Sequence, residues 1–297
     1  MDASSIPIQQ VMIVGSGWVG RQIAARIAMH GMHAYLVDRS LALCNEALRW
    51  VHALGDPASQ EGHDLAARVH SLGTLKESLA APPQVQLIIE CAPEQVSIKR
   101  RILSEVSEQF ASDVIIASNS SYFVPSMLAQ YVHLPNRFAN LHFHVPVLHD
   151  SICDIVGCEQ TEDSVTLRLR DFVLRLGLEP LVLRHEHPGY VFNWLLQSVL
   201  KAALELVAQD VVDPEDVDKA WTTITGMQQG PFGIMDKIGL DVIEQVLSNS
   251  RWVNSQPVSI ENLLQVIKPL TSSGKLGVKS LQGFYSYEDD SLVTKRS

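Results

Sequence analysis

Residues 11–20 read Val11-Met12-Ile13-Val14-Gly15-Ser16-Gly17-Trp18-Val19-Gly20, and a helical pattern follows through His30. An apolar β-rich run that closes in G-x-G-x-x-G and restarts as a helix leaves the backbone few options. Gly15 allows the tight turn, Gly17 lets a pyrophosphate approach the main chain, and Gly20 lets helix and strand pack closely. The helix amino end then offers N–H groups and a positive dipole end to phosphates. A bare G-x-G-x-x-G is weak, but here Asp38 closes the second β-rich run 18 residues beyond Gly20, and that context makes the motif specific. Asp38 suits the hydroxyls of an adenosine ribose and repels a 2′-phosphate, which favours NAD over NADP. Arg39 is the one neighbour that softens this preference. The candidate cofactor residues of this stretch are therefore Gly15, Gly17, Trp18, Val19, Gly20, Asp38 and Arg39.

Up to about residue 185, β-rich runs at 11–14, 34–37, 87–90, 114–117 and 138–143 alternate with amphipathic stretches such as 19–30 and 97–110. Runs at 152–156 and 181–183 extend the series. Such repetition predicts an α/β fold, a doubly wound parallel sheet with helices on both faces. After His187-Pro188-Gly189 the character changes. Residues 190–208 form a long helical pattern, apolar except for a stripe of Asn193, Gln197, Lys201 and Glu205, and a helix so apolar calls for burial between domains or subunits. Asp213-Pro214-Glu215-Asp216 has the composition of a helix start, with Asp213 as N-cap. Stretches 240–247 and 260–267 are helical too. We therefore expect a Rossmann domain over 1–186 and an all-α domain over 187–297.

Composition sets outer limits. The chain has 297 residues, 46% of them apolar, enough for two cored domains. Acids number 33 against 23 bases, a formal charge of −10, which excludes the basic face that a nucleic-acid partner needs. No run approaches the ~18 apolar residues of a membrane span. An acid follows Met1 where a secretory signal carries basic residues. Cys44, Cys91, Cys153 and Cys158 show neither disulfide nor metal spacing. A reduced, cytoplasmic protein is expected.

Further motifs follow in order: Ile89-Glu90-Cys91-Ala92-Pro93-Glu94 with Lys99; Ala117-Ser118-Asn119-Ser120-Ser121; Arg137-Phe138-Ala139-Asn140-Leu141-His142-Phe143; His187-Pro188-Gly189-Tyr190-Val191-Phe192-Asn193; Gly230-Pro231-Phe232; and Gly283-Phe284-Tyr285. With the glycine turn, they give nearly the whole chain a resemblance to the 3-hydroxyacyl-CoA dehydrogenase family. The resemblance implies NAD-dependent interconversion of a 3-hydroxyacyl and a 3-oxoacyl thioester, a role in fatty-acid metabolism, and a homodimer formed through the helical domain. It places His142 as catalytic base, Asp154 where the family has the Glu that orients it, and Ser121 and Asn193 around the substrate oxygens. Cys91, Glu94 and Lys99 fall at nicotinamide-side positions, and Lys279 on a tail residue that reaches the cofactor. The chemistry is coherent: a hydroxyl proton needs a base, and imidazole titrates near working pH. A carboxylate on the other ring nitrogen fixes its tautomer. Asp is shorter than Glu by about 1.5 Å, so the strands must come closer or a water must bridge.

The chain also departs from the family. Where relatives usually read Phe-Phe-Asn-Pro after the base, this one reads Phe143-His144-Val145-Pro146. His142-x-His144 with His149 has the form of a metal-ligand set, but the resemblance needs no metal, and none is expected. The family's Lys-rich hairpin for CoA is also missing. Residues 42–86 hold only Arg49, Arg68 and Lys76 against Glu46, Asp56, Glu61, Asp64 and Glu77, a poor grip on a triphosphorylated handle. The acyl group is therefore expected on something other than free CoA, such as an acyl carrier protein. Lys99-Arg100-Arg101 is a candidate patch for it, although that run reads first as one cofactor-side lysine and an exposed helix face. The alternatives are a small free hydroxy acid or sugar acid as substrate, and a non-catalytic NAD-binding sensor.

Overall fold

The computed structural model describes residues 7–56, 59–110, 113–149, 152–249 and 259–288. The N-terminal Met1 to Ser5 and Asp150 lie outside the described residues. The chain divides between Val191 and Phe192 into two compact units.

The first unit holds one sheet of eight strands: β1 (Gln10–Val14), β2 (His33–Asp38), β3 (Val69–Thr74), β4 (Leu87–Glu90), β5 (Ile115–Ser118), β6 (Phe138–Phe143), β7 (Ile152–Gly157) and β8 (Glu179–Val182). Their order is β3-β2-β1-β4-β5-β6-β7-β8. Helices α1 (Trp18–Met29), α2 (Leu41–His52), α3 (Gln60–Arg68), α4 (Leu75–Ala80), α5 (Val96–Gln109), α6 (Pro125–Ala129) and α7 (Asp163–Arg175) connect them. Successive strand residues face opposite ways, so β1 sends Val11 and Ile13 into one core with Ile23, Ile27 and Phe172. Met12 and Val14 enter the other, with Leu103, Val106 and Leu128. Burial on both faces explains the unbroken apolar runs.

Two features differ from the sequence expectation. Strand β3, Val-His-Ser-Leu-Gly-Thr, has no strand-like pattern and forms by pairing with the edge of β2. Strand β7 runs antiparallel to β6, because no helix intervenes and a parallel neighbour requires a crossover. That pairing sets His142 directly opposite Asp154.

The second unit is helical: α8 (Phe192–Ala208), α9 (Pro214–Thr225), α10 (Pro231–Ile238), α11 (Leu240–Asn249) and α12 (Ile260–Ser272). Leu200, Leu204, Phe232, Met235, Leu263 and Ile267 form its core. Two carboxylates explain its late motifs. Buried Asp236 accepts from Phe284 N, Tyr285 N and Tyr287 Oη. Asp218 accepts from Phe232 N, Gly233 N and Tyr285 Oη. Asp213 does occupy the N-cap of α9, but its side chain makes no cap bond. Helix α8 is buried on one side only, leaving Phe192, Trp194 and Leu195 exposed. No helix among the described residues is long and apolar enough to cross a membrane.

Candidate active site

Strands β1, β2, β4, β5 and β6 run parallel, so their carboxyl ends share one edge, where open α/β sheets bind ligands. A groove of about 930 Å³ opens there, lined by the glycine turn with Trp18 and Val19, by Asp38 and Arg39, and by Cys91. Each glycine has its own necessity. Gly15 sits at φ +113°, and a Cβ there would stand 2.5 Å from Cys91 O. A Cβ on Gly20 would overlap the Gly15 carbonyl. Gly17 differs, since nothing lies within 4 Å of where its Cβ would stand, which leaves the turn open to a pyrophosphate. No side chain caps α1 and no acid occupies its first turn, so its amino end suits an anion. The Asp38 carboxylate accepts from Ser16 N at 2.6 Å, Ser16 Oγ at 2.8 Å and Arg39 N at 2.7 Å, tying the turn to β2. These residues fit a dinucleotide. Arg21, which the motif alone does not mark, also lines the groove, with its guanidinium 4.9 Å from the Trp18 ring centroid and 5.1 Å from that of Trp50.

Lys99 lies inside the first unit. It is only 1% exposed, with Nζ 3.0 and 2.9 Å from the two Glu90 oxygens and 3.2 Å from Glu94. Burial pushes its pKa down, but the two carboxylates outweigh that and hold it above the usual range. Of the run Lys99-Arg100-Arg101, the first charge is therefore interior and paired, and only the two arginines are exposed. Glu94 also accepts from Ser120 Oγ and from Tyr122 N, fixing the loop after β5. Two basic residues of 42–86 also have places of their own. Arg68 pairs with Asp64 at 3.2 Å, and Lys76 lines the dinucleotide groove.

At the same edge, Ser121 Oγ lies 3.1 Å from His142 Nε2, and His142 Nδ1 lies 3.0 Å from Asp154 Oδ2. The contact is direct. Strand pairing brings opposite Cβ atoms to ~5 Å, which supplies the reach that Asp lacks. Burial works to raise the Asp154 pKa, but N–H bonds from two imidazoles hold it below the usual carboxylate value. An ionised carboxylate only accepts, so Nδ1 of His142 carries the proton and the Nε2 lone pair faces Ser121. Burial lowers the His142 pKa, Asp154 opposes this, and the nearby His144 adds to the lowering; the net shift is downward. A neutral base is thus in place.

Two residues of the site take places that the sequence reading did not give them. His144 Nε2 lies 2.7 Å from the same Asp154 oxygen. His142, His144 and Asp154 bring three donor atoms within 4.8 Å of one another, but these atoms already face each other as N–H donors and carboxylate acceptor. Tyr190 is the second. It takes a left-handed φ of 52° after Gly189 and stacks on His142, with centroids 4.7 Å apart. Its hydroxyl donates to Ser120 O at 2.6 Å and accepts from Asn140 Nδ2 at 2.8 Å. Its only sequence signal is its place after His187-Pro188-Gly189. Asn193, half-exposed at the start of α8, and Lys279, paired with Asp241, belong to the second unit.

Comparison with known proteins adds a consistent set of likenesses. A family model described as the NAD binding domain of 3-hydroxyacyl-CoA dehydrogenase matches residues 10–186. A second, for the C-terminal domain of the same enzyme, matches 189–287. A 5-formyl-3-hydroxy-2-methylpyridine 4-carboxylate 5-dehydrogenase from Mesorhizobium japonicum is 27% identical, over 94% of this chain and 91% of that one. The solved structure of a diketoreductase superposes with a TM-score of 0.85 at 29% identity, covering 95% of this chain and 100% of the other. The (S)-3-hydroxybutyryl-CoA dehydrogenase of Ralstonia eutropha gives 0.81 at 25% identity, covering 95% and 99%.

Proposed function

This chain belongs to the 3-hydroxyacyl-CoA dehydrogenase family and is an NAD-dependent oxidoreductase, and on that premise we propose that it interconverts a 3-hydroxyacyl and a 3-oxoacyl group with His142 as the base. The assembled Ser121–His142–Asp154 line carries this reading. Bound NAD supplies the hydride acceptor. In the oxidative direction, His142 Nε2 takes the hydroxyl proton while the hydrogen on the same carbon leaves as hydride and the C–O bond becomes a carbonyl. Asp154 stabilises the imidazolium. Ser121 Oγ, already on Nε2, hydrogen-bonds the substrate oxygen, and we assign Asn193 to the carbonyl two carbons away. Lys279 is assigned to the cofactor. The exposed Phe192, Trp194 and Leu195 on α8 support a homodimer formed through the second unit.

A second reading concerns the handle. The acid excess of 42–86, with Arg68 and Lys76 otherwise engaged, supports a small free 3-hydroxy acid in place of a CoA ester. The diketoreductase and the pyridine-carboxylate dehydrogenase are relatives named for compounds without CoA. The test is NADH formation from 3-hydroxybutyryl-CoA and from free 3-hydroxybutyrate, in the wild type and in His142→Asn. Turnover that His142→Asn lowers by ~10³-fold or more, with NAD binding retained, is the expected result. A variant as active as the wild type overturns the assignment of the base.

A further inference from the structure

One carboxylate oxygen serves two imidazoles. Asp154 Oδ2 stands 3.0 Å from His142 Nδ1 and 2.7 Å from His144 Nε2. Asp154 is fully buried, and its Oδ1 has no hydrogen-bond partner among the described residues. The shorter of the two contacts belongs to the histidine that is not the base. His142 and His144 are two residues apart, so both side chains project from the same face, and their rings meet edge to face at 4.6 Å.

We propose that His144 is a positioning residue for the reaction: its Nε2–H holds the Asp154 oxygen in line with His142 and takes up part of that oxygen's basicity, so that His142 is oriented firmly but holds a proton less tightly. The proposal rests on His142 being the base. Orientation needs only the direction of the His142 Nδ1–H bond. The affinity of His142 for a proton depends on how much negative charge remains on Oδ2, and a second N–H donor to the same oxygen reduces it. Protonation of His144 would add like-charge repulsion in the same direction. The short carboxylate, between His142 on β6 and His144 just beyond its end, is steered by a second donor as well as by the first.

The other titratable groups that face the pair leave this balance to His144. Glu94, after β4, pairs with Lys99 at 3.2 Å, and its charge favours a proton on His142 less than any other influence there. Burial keeps the Cys153 thiol and the Tyr190 hydroxyl protonated. Ser121 does not titrate in this range. Beside burial, Asp154 and His144 are the groups with the largest influence on His142.

The experiment is a histidine Cε1–H NMR titration of the full chain saturated with NAD, comparing wild type, His144→Phe and His144→Gln, with His142→Asn to assign the His142 resonance. Phe removes the donor, whereas Gln keeps an N–H of similar reach without the titration. The His142 midpoint is expected to rise by ~0.5–1 pH unit in His144→Phe and to stay within ~0.3 unit of wild type in His144→Gln. An unchanged midpoint in the Phe variant, or equal shifts in both variants, overturns the proposal. The wild-type titration gives a reading without substitution: each resonance should carry the inflection of the other, and two independent single-site curves would overturn the coupling. These readouts need no turnover. A chain that titrates as expected but oxidises no 3-hydroxy compound would sink the functional reading and leave this one standing.

Discussion

Asp154 is the residue on which the site turns, because both partners reach it as donors and only an oxygen can receive them. Asp154→Asn keeps the volume, but its amide either sets the NH₂ in the buried Oδ1 place, where nothing among the described residues accepts from it, with a neutral oxygen left for the two imidazoles, or flips and sets the NH₂ against both rings. The flip drives His142 toward the tautomer with the proton on Nε2, the wrong nitrogen for a base. We expect kcat to fall by ~10³–10⁴-fold with NAD affinity unchanged, read by steady-state kinetics beside NAD titration. The pH profile follows from burial, the largest influence on His142, which leaves its pKa below the ordinary 6.5. Oxidation requires neutral His142. The rate should therefore be level above pH ~6.5 and fall as pH drops through the lower midpoint of the folded chain. An acid limb of kcat/KM centred above 6.5 would contradict this. Lys99 answers a different question. Its ammonium compensates Glu90, itself 1% exposed, so Lys99→Met leaves a buried carboxylate alone. A loss of ~3–5 kcal/mol in urea-unfolding free energy is expected.

At the scale of elements, the glycine turn between β1 and α1 separates folding from binding. A Cβ on Gly20 has no room, because the Gly15 carbonyl stands there; Gly20→Ala should fail to fold or lose several degrees of Tm. Gly17→Ala meets nothing within 4 Å. Its methyl group occupies the space a pyrophosphate needs, so NAD affinity should fall by at least ~10-fold while the apo Tm stays within ~2 °C. Calorimetry with and without NAD checks both variants, and parallel losses would argue that Gly17 is only a turn residue. This element was legible in the sequence because glycine spacing, apolar run and Asp38 are all local signals. Strand β3 was not legible, since Val-His-Ser-Leu-Gly-Thr forms a strand only by pairing with β2. The direct contact of His142 with Asp154 was legible as a meeting across strands, but its closeness depended on an antiparallel register that periodicity does not encode. His144 could be read as part of a metal-ligand pattern but not as a partner of Asp154. Tyr190 left still less trace: its left-handed backbone and its stacking on His142 are consequences of the loop's path.

For the molecule as a whole, the charge of −10 matters less than where charge is neutralised. A CoA ester brings several phosphate charges, and a protein that grips them gains affinity that fades as salt screens the contact. Here the first unit offers such a handle little. The 42–86 segment has five acids to three bases, one of those bases paired with Asp64 and another lining the dinucleotide groove, and Lys99 is enclosed by carboxylates. Recognition should then reside in the acyl portion near His142. Replacing the CoA of 3-hydroxybutyryl-CoA by N-acetylcysteamine, which keeps the thioester and removes every phosphate, should change kcat/KM by less than ~10-fold, under ~1.4 kcal/mol of transition-state binding. Raising ionic strength from about 0.05 M to about 0.3 M should leave the ratio between the two esters nearly constant. A ratio of several hundred in favour of CoA, collapsing with salt, would instead locate a phosphate site that the charges of the first unit do not suggest. That outcome would leave the role of His142 intact, because the proton is taken at the hydroxyl whatever the acyl group is attached to.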